Sequence, residues 1–114
     1  MDPTEIEELF HGLGPVTIRR MSGGQGIYHR GAIIAVVYRG DLLLKADAET
    51  APAFAAAGAR QWSFDGQKGK LIKMPYWSTP EEAFDDPEVM TRWARLAFAA
   101  ALRAKPDSAP TLHK

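Results

Sequence analysis

A chain of 114 residues and 12.5 kDa holds one domain with a core of its own. It contains no Cys, which removes thiol nucleophiles, zinc–thiolate sites and disulfides. Lys plus Arg and Asp plus Glu each number 14, whereas a protein built to grip a phosphate backbone carries a basic excess.

Asp2-Pro3-Thr4-Glu5 predicts a helix start: Asp2 as cap, Pro3 where a missing N–H costs nothing, Glu5 at the positive end. Ile6, Leu9, Phe10 and Leu13 recur at helical spacing, and Gly12-Leu13-Gly14-Pro15 ends the helix. Residues 16–21 are β-rich. A glycine loop, Ser22-Gly23-Gly24-Gln25-Gly26, leads into strand Ile27-Tyr28-His29. Arg30-Gly31 interrupts, residues 32–38 resume as a buried strand, and Arg39-Gly40-Asp41 turns into strand 42–45, which makes an antiparallel meander. A helix follows, with Asp47 as cap, Phe54 inward and Gly58 as terminator. Residues 60–65 and 70–76 form a second hairpin about Gly66-Gln67-Lys68-Gly69. Thr79-Pro80-Glu81-Glu82 has capping-box spacing for a short helix. Asp86-Pro87-Glu88 opens the last helix, with Val89, Trp93, Leu96 and Ala100 as its inward stripe. Glu88 and Arg92 stand at pairing distance on its wet side. Residues 105–114 read as a flexible tail behind a domain of residues 1–104.

The order α-β-β-β-α-β-β-α, with strands in two hairpin groups, predicts an α+β two-layer sandwich: an antiparallel sheet with flanking helices on one face. The other face is where a partner or a second copy would bind. The longest apolar stretches, 32–38 and 96–102, fall short of the roughly 20 residues of a membrane span. The acidic N-terminus is unlike an export signal, so the chain reads as cytoplasmic, with no membrane role.

No catalytic constellation assembles from the motifs. The glycine loop runs into a strand with no following Lys-Ser/Thr, so neither a phosphate loop nor a dinucleotide fingerprint fits. Gly23, Gly24 and Gly26 read as a tight connection. His11, His29 and His113 lack ligand spacing, and His29 reads as a surface imidazole. The Glu81-Glu82 and Asp85-Asp86 pairs serve helix starts, and no serine sits in a nucleophile elbow. No metal, cofactor or catalytic residue is therefore expected. Trp62, Phe64, Tyr76 and Trp77 cluster on the second hairpin, with Tyr28 and Tyr38 on the meander. Trp62 and Phe64 share a strand face. A patch of Tyr28, Lys45, Tyr76 and Trp77 is the candidate interaction site, rimmed by bases that include Arg19, Arg39 and Lys73.

The stretches Met21-Ser22-Gly23-Gly24-Gln25-Gly26-Ile27-Tyr28 and Leu42-Leu43-Leu44-Lys45-Ala46-Asp47 resemble the N-terminal domain of the TfoX (Sxy) family of bacterial competence regulators. Phe54, Gly58, Phe64, Met74, Tyr76, Trp77, Pro80, Glu81, Glu82 and Trp93 continue the pattern, which runs from about Arg20 to Ala104. Ser22 and Gln25 replace the family's loop aromatics and Leu43 its strand Tyr, stripping bulk from the loop. The resemblance implies a fold like that of type III secretion chaperones and no catalytic activity. It also implies a co-regulatory role in transcription, which the full-length regulators exercise beside the cyclic-AMP receptor protein with a second, C-terminal domain that this chain lacks.

Two roles follow. The first is a non-enzymatic protein-interaction module, a homodimer or a subunit binding a protein partner such as the transcription machinery, with no direct nucleic-acid contact. The alternative is a small-ligand-binding or enzymatic domain, with the glycine loop, Tyr28, His29 and Lys45 lining a pocket.

Overall fold

The computed structural model describes residues 1–108. Helix α1 (Pro3–Leu9) leads to four strands, β1 (Thr17–Met21), β2 (Gly24–His29), β3 (Ala32–Tyr38) and β4 (Asp41–Lys45). Helix α2 (Ala51–Ala56), strands β5 (Gln61–Asp65) and β6 (Leu71–Ser78), and helix α3 (Pro87–Ser108) follow. Single 3₁₀ turns occupy Gln67–Gly69 and Glu81–Phe84. The strands form one antiparallel sheet in the order β1-β2-β3-β4-β6-β5, and all three helices contribute to the core on one of its faces. The α+β sandwich expected from the sequence is present. Its first hairpin group holds four strands, one more than the order α-β-β-β-α-β-β-α counts, matching the four β segments at residues 16–21, 27–29, 32–38 and 42–45, with the glycine segment adding Gly24–Gly26 to the second.

Two-residue turns build the meander. Arg30-Gly31 lies between paired His29 and Ala32, and Arg39-Gly40 between paired Tyr38 and Asp41. All four turn residues have positive φ, 52° and 82° in the first turn and 52° and 84° in the second, the conformation that matches strand twist. A bulge sits on β3: Ile27 pairs with Ala35 and Tyr28 with Ile33, so Ile34 is the extra residue. Ile34 and Ala35 consequently both lie buried in the helix-side core. Val37 joins them there and Val36 is buried in a cluster on the opposite face, so residues 34–37 are uniformly buried although they do not share one face.

The core places Ile6 and Phe10 of the α1 segment, Ile27, Ile34, Val37, Leu42 and Leu44 of the sheet, Phe54 of α2, and Met90, Ala94, Ala97 and Ala101 of α3 in one cluster. The expected stripe of α3 is thus met in part: Ala100 is fully buried, whereas Val89, Trp93 and Leu96 are only half-buried. Small alanines at the centre let the helix axis approach the sheet, while Trp93 packs at the side against Phe54, ring centroids 4.7 Å apart.

Three expected caps resolve differently. Asp2 occupies the N-cap position of α1 with no side-chain hydrogen bond. Thr79 does not cap; its buried hydroxyl donates to the Leu42 carbonyl at 2.9 Å, tying the end of β6 to β4. Asp47 accepts from the N–H groups of Glu49 and Thr50 one turn before α2 begins at Ala51. Asp86 does accept from the Glu88 N–H at 2.9 Å, as a cap should. Helix α3 continues through Ser108, past the expected end at residue 104. The remainder of the expected tail, residues 109–114 with His113, lies outside the described residues.

Candidate functional site

Strand alternation decides which side chains share a face. Opposite the helices, a second cluster forms: buried Val36, Leu43 and Tyr76, with half-buried Ile33, Tyr38, Trp62 and Met74 packed against them. The Trp62 ring lies 5.0 Å from that of Tyr38, 6.3 Å from Tyr76 and 6.1 Å from Phe64. Tyr38 and Trp62 belong to strands separated by β4 and β6, so their rings lean toward one another across the middle of the sheet. Phe64 and its cross-strand partner Ile72 remain 45% and 38% exposed at one margin, and Met21 remains 46% exposed at the other. No helix contributes to this cluster.

Cations stand over three of the rings. The Arg19 guanidinium carbon is 5.3 Å from the Tyr28 centroid, that of Arg39 is 5.3 Å from Tyr38, and Lys45 Nζ is 5.1 Å from Tyr76, all within cation–π range. Burial lowers the Lys45 pKa, with the charge of Asp47 acting in the opposite direction. Burial and the neighbouring Tyr28 push the Tyr76 phenol up to about 12. The face therefore combines apolar area, phenol hydroxyls and positive charge.

Three of the four residues of the sequence-derived patch, Tyr28, Lys45 and Tyr76, come together here. Trp77 does not. It follows Tyr76 along β6 and so points to the opposite face, where it packs on the helix-side core with its ring 6.3 Å from Phe54. Its place on the open face is taken by Trp62 and Tyr38. Period-two alternation, already sufficient to pair Trp62 with Phe64, carries the signal that separates Tyr76 from Trp77.

The glycine segment is a hairpin turn followed by the first half of β2. Gly23 has φ +80°, and a Cβ at Gly24 would collide with the Val37 carbonyl oxygen. At Gly26 a Cβ would crowd Tyr28, Ile33 and Met21, so this glycine clears space beneath the open-face side chains. Gly24 and Gly26 pair with β1 and β3 on both sides, so their backbone groups serve the sheet.

His29 corrects another expectation. It is 3% exposed, with Nδ1–H donating to the Pro15 carbonyl at 2.7 Å and its ring edge-on to Phe98 at 4.7 Å. The loop before β1 and helix α3 cover it, long-range neighbours that local alternation does not reveal. His29 and Tyr28 thus face opposite sides of β2, and the pocket drawn from Tyr28, His29 and Lys45 does not exist as one site. The expected Glu88–Arg92 pair is also not among the ion pairs of the described residues. Arg103 instead bridges to Asp47 at 2.6 Å and Glu49 at 3.3 Å. No helix among the described residues is long and apolar enough to cross a membrane.

The family model of the TfoX N-terminal domain matches residues 8–101, and the chain belongs to that family. No curated protein matches the chain.

Proposed function

We propose that this domain works by binding and not by catalysis: a cytoplasmic protein-interaction module of a TfoX-like regulator, acting on transcription through a protein partner. The observation that carries the reading is the open sheet face, where Tyr28, Tyr38, Trp62 and Tyr76 gather under three cations with no helix over them. Tyr and Trp supply large contact area at small entropic cost, and both are enriched at interfaces. Family membership supports the regulatory part of the proposal. Binding of RNA polymerase, of a transcription factor or of a second copy all belong to the same reading.

The test separates the two faces. Immobilised chain is exposed to lysate of the native host, captured proteins are identified by mass spectrometry, and mass is measured by light scattering. Tyr28→Ala should reduce capture of a transcription component, or self-association, by about tenfold with an unchanged far-UV circular dichroism spectrum. Trp77→Ala, on the helix side, should leave capture intact at temperatures where the variant is folded. Equal capture and equal mass for the wild type and Tyr28→Ala would remove the open face as the site.

A further inference from the structure

We propose that the partner segment docking on the open face is an acidic peptide with interspersed apolar side chains. This rests on the reading of that face as the interaction surface and adds the chemistry of what it takes. Arg19, Arg39 and Lys45 stand over its rings. Among the described residues none of the three is in a salt bridge, since the ion pairs there belong to Arg103 with Asp47 and Glu49. The strands themselves bear acids only at Asp41 and Asp65, each at a strand end. The remaining carboxylates concentrate on α1 and in residues 81–88, among the elements of the helix layer. On the open face, Arg19, Arg39 and Lys45 outnumber Asp41, which shares that face with its cross-strand partner Tyr38, while the helix layer carries most of the acids alongside Arg92, Arg95 and Arg103 of α3, so the charge of this neutral chain is unevenly divided.

That division discriminates between occupants. A second copy docked face to face would bring two faces of the same positive charge together, and like-charge juxtaposition opposes association. Single-stranded nucleic acid needs free ring faces on which bases stack. Here Tyr28, Tyr38 and Tyr76 already carry a cation, and Tyr76 is 6% exposed. A carboxylate needs only the outward side of those cations. Lys45 gains most from one, because burial has removed part of its hydration and the charge of Asp47, itself bridged to Arg103, opposes that loss only in part. Met21, Phe64 and Ile72, exposed at the margins, supply landing area for apolar side chains between the acids.

The experiment uses the full chain to select from a phage-displayed random library of peptides of about 12 residues, followed by fluorescence anisotropy with synthetic copies. Selected peptides should be enriched in Asp and Glu together with Leu or Phe. Their affinity should fall when salt rises from about 50 to about 300 mM, fall roughly three- to tenfold in Lys45→Gln and Arg39→Gln, and recover in Lys45→Arg. Arg39 lies in an exposed turn, so Arg39→Gln keeps the charge test open if Lys45→Gln folds poorly. Neutral or basic peptides that bind and are lost in Tyr28→Ala would overturn the acidic assignment while the face stands. Peptides insensitive to Tyr28→Ala would overturn the face as well. Lys45-dependent binding of labelled oligothymidylate would overturn the proposal in favour of nucleic acid.

Discussion

Arg30 and Arg39 each hold the first central position of a turn at φ 52°, a conformation in which a side chain bearing Cβ costs roughly 1 kcal/mol relative to glycine. Asn tolerates it far better. Arg30→Asn should therefore raise the thermal midpoint by a few degrees, read by circular dichroism melting; a lower midpoint would mean that the arginine makes a compensating contact. Arg30 is the cleaner site, because Arg39 also covers Tyr38. The glycines of both turns announce themselves in the sequence, but the arginines before them carry no mark of their strained backbone. Tyr76 offers a second residue-scale test. Its phenol is pushed up to about 12 in the folded chain from an ordinary 10.0, so the unfolded chain ionises first as pH rises. The contribution of Tyr76 is intact below pH 10 and is lost as pH rises from 10 to 12, by roughly 2 kcal/mol. Urea denaturation at pH 9 and pH 11.5 should show a steeper alkaline loss for the wild type than for Tyr76→Phe. Equal slopes would show that the hydroxyl remains hydrated.

Helix α3 meets the sheet through Ala94, Ala97 and Ala101, the first two fully buried. The added isopropyl group has nowhere to go: Ala97→Leu should destabilise by about 1–3 kcal/mol, measured as a lower urea midpoint at unchanged slope. A neutral result would place a cavity under the helix. Helices, strands and turns were legible because periodicity, glycines and prolines are local signals. The stripe of α3 is legible only in part, at Ala100, because helical periodicity weights large apolar residues whereas the closest helix–sheet approach selects the smallest. Thr79 and His29 misled for one common reason. A hydroxyl that reads as a cap is committed to Leu42, and an imidazole that reads as surface is held by Pro15 and Phe98. Both partners are distant in sequence.

At the scale of the molecule, the two faces of the sheet differ in kind: one carries the main core under the helices, and the other is the face we propose for recognition. Trp77 belongs to the first. Trp77→Ala should cost about 2–3 kcal/mol, below the 3–5 kcal/mol of a fully buried Trp, because the ring is half-buried against Phe54. Thermal unfolding would read this loss, and a change in binding without one would return Trp77 to the recognition surface. Of the open face, the sequence disclosed Tyr28, Lys45 and Tyr76, one from each of three different strands. It could not show the leaning of Trp62 toward Tyr38 over two intervening strands, because no local pattern encodes that approach.

The strand order also sets a sequence of events in time. β1 to β4 zip together through short turns, but β6 must reach β4 after α2 and β5 have been passed, joining Lys45 to Tyr76 and Leu43 to Ser78. Closing that long loop is the slow, entropically opposed step. The rings of the open face cannot gather until it is complete, so on a chain emerging from the ribosome that face stays unfinished until β6 has arrived.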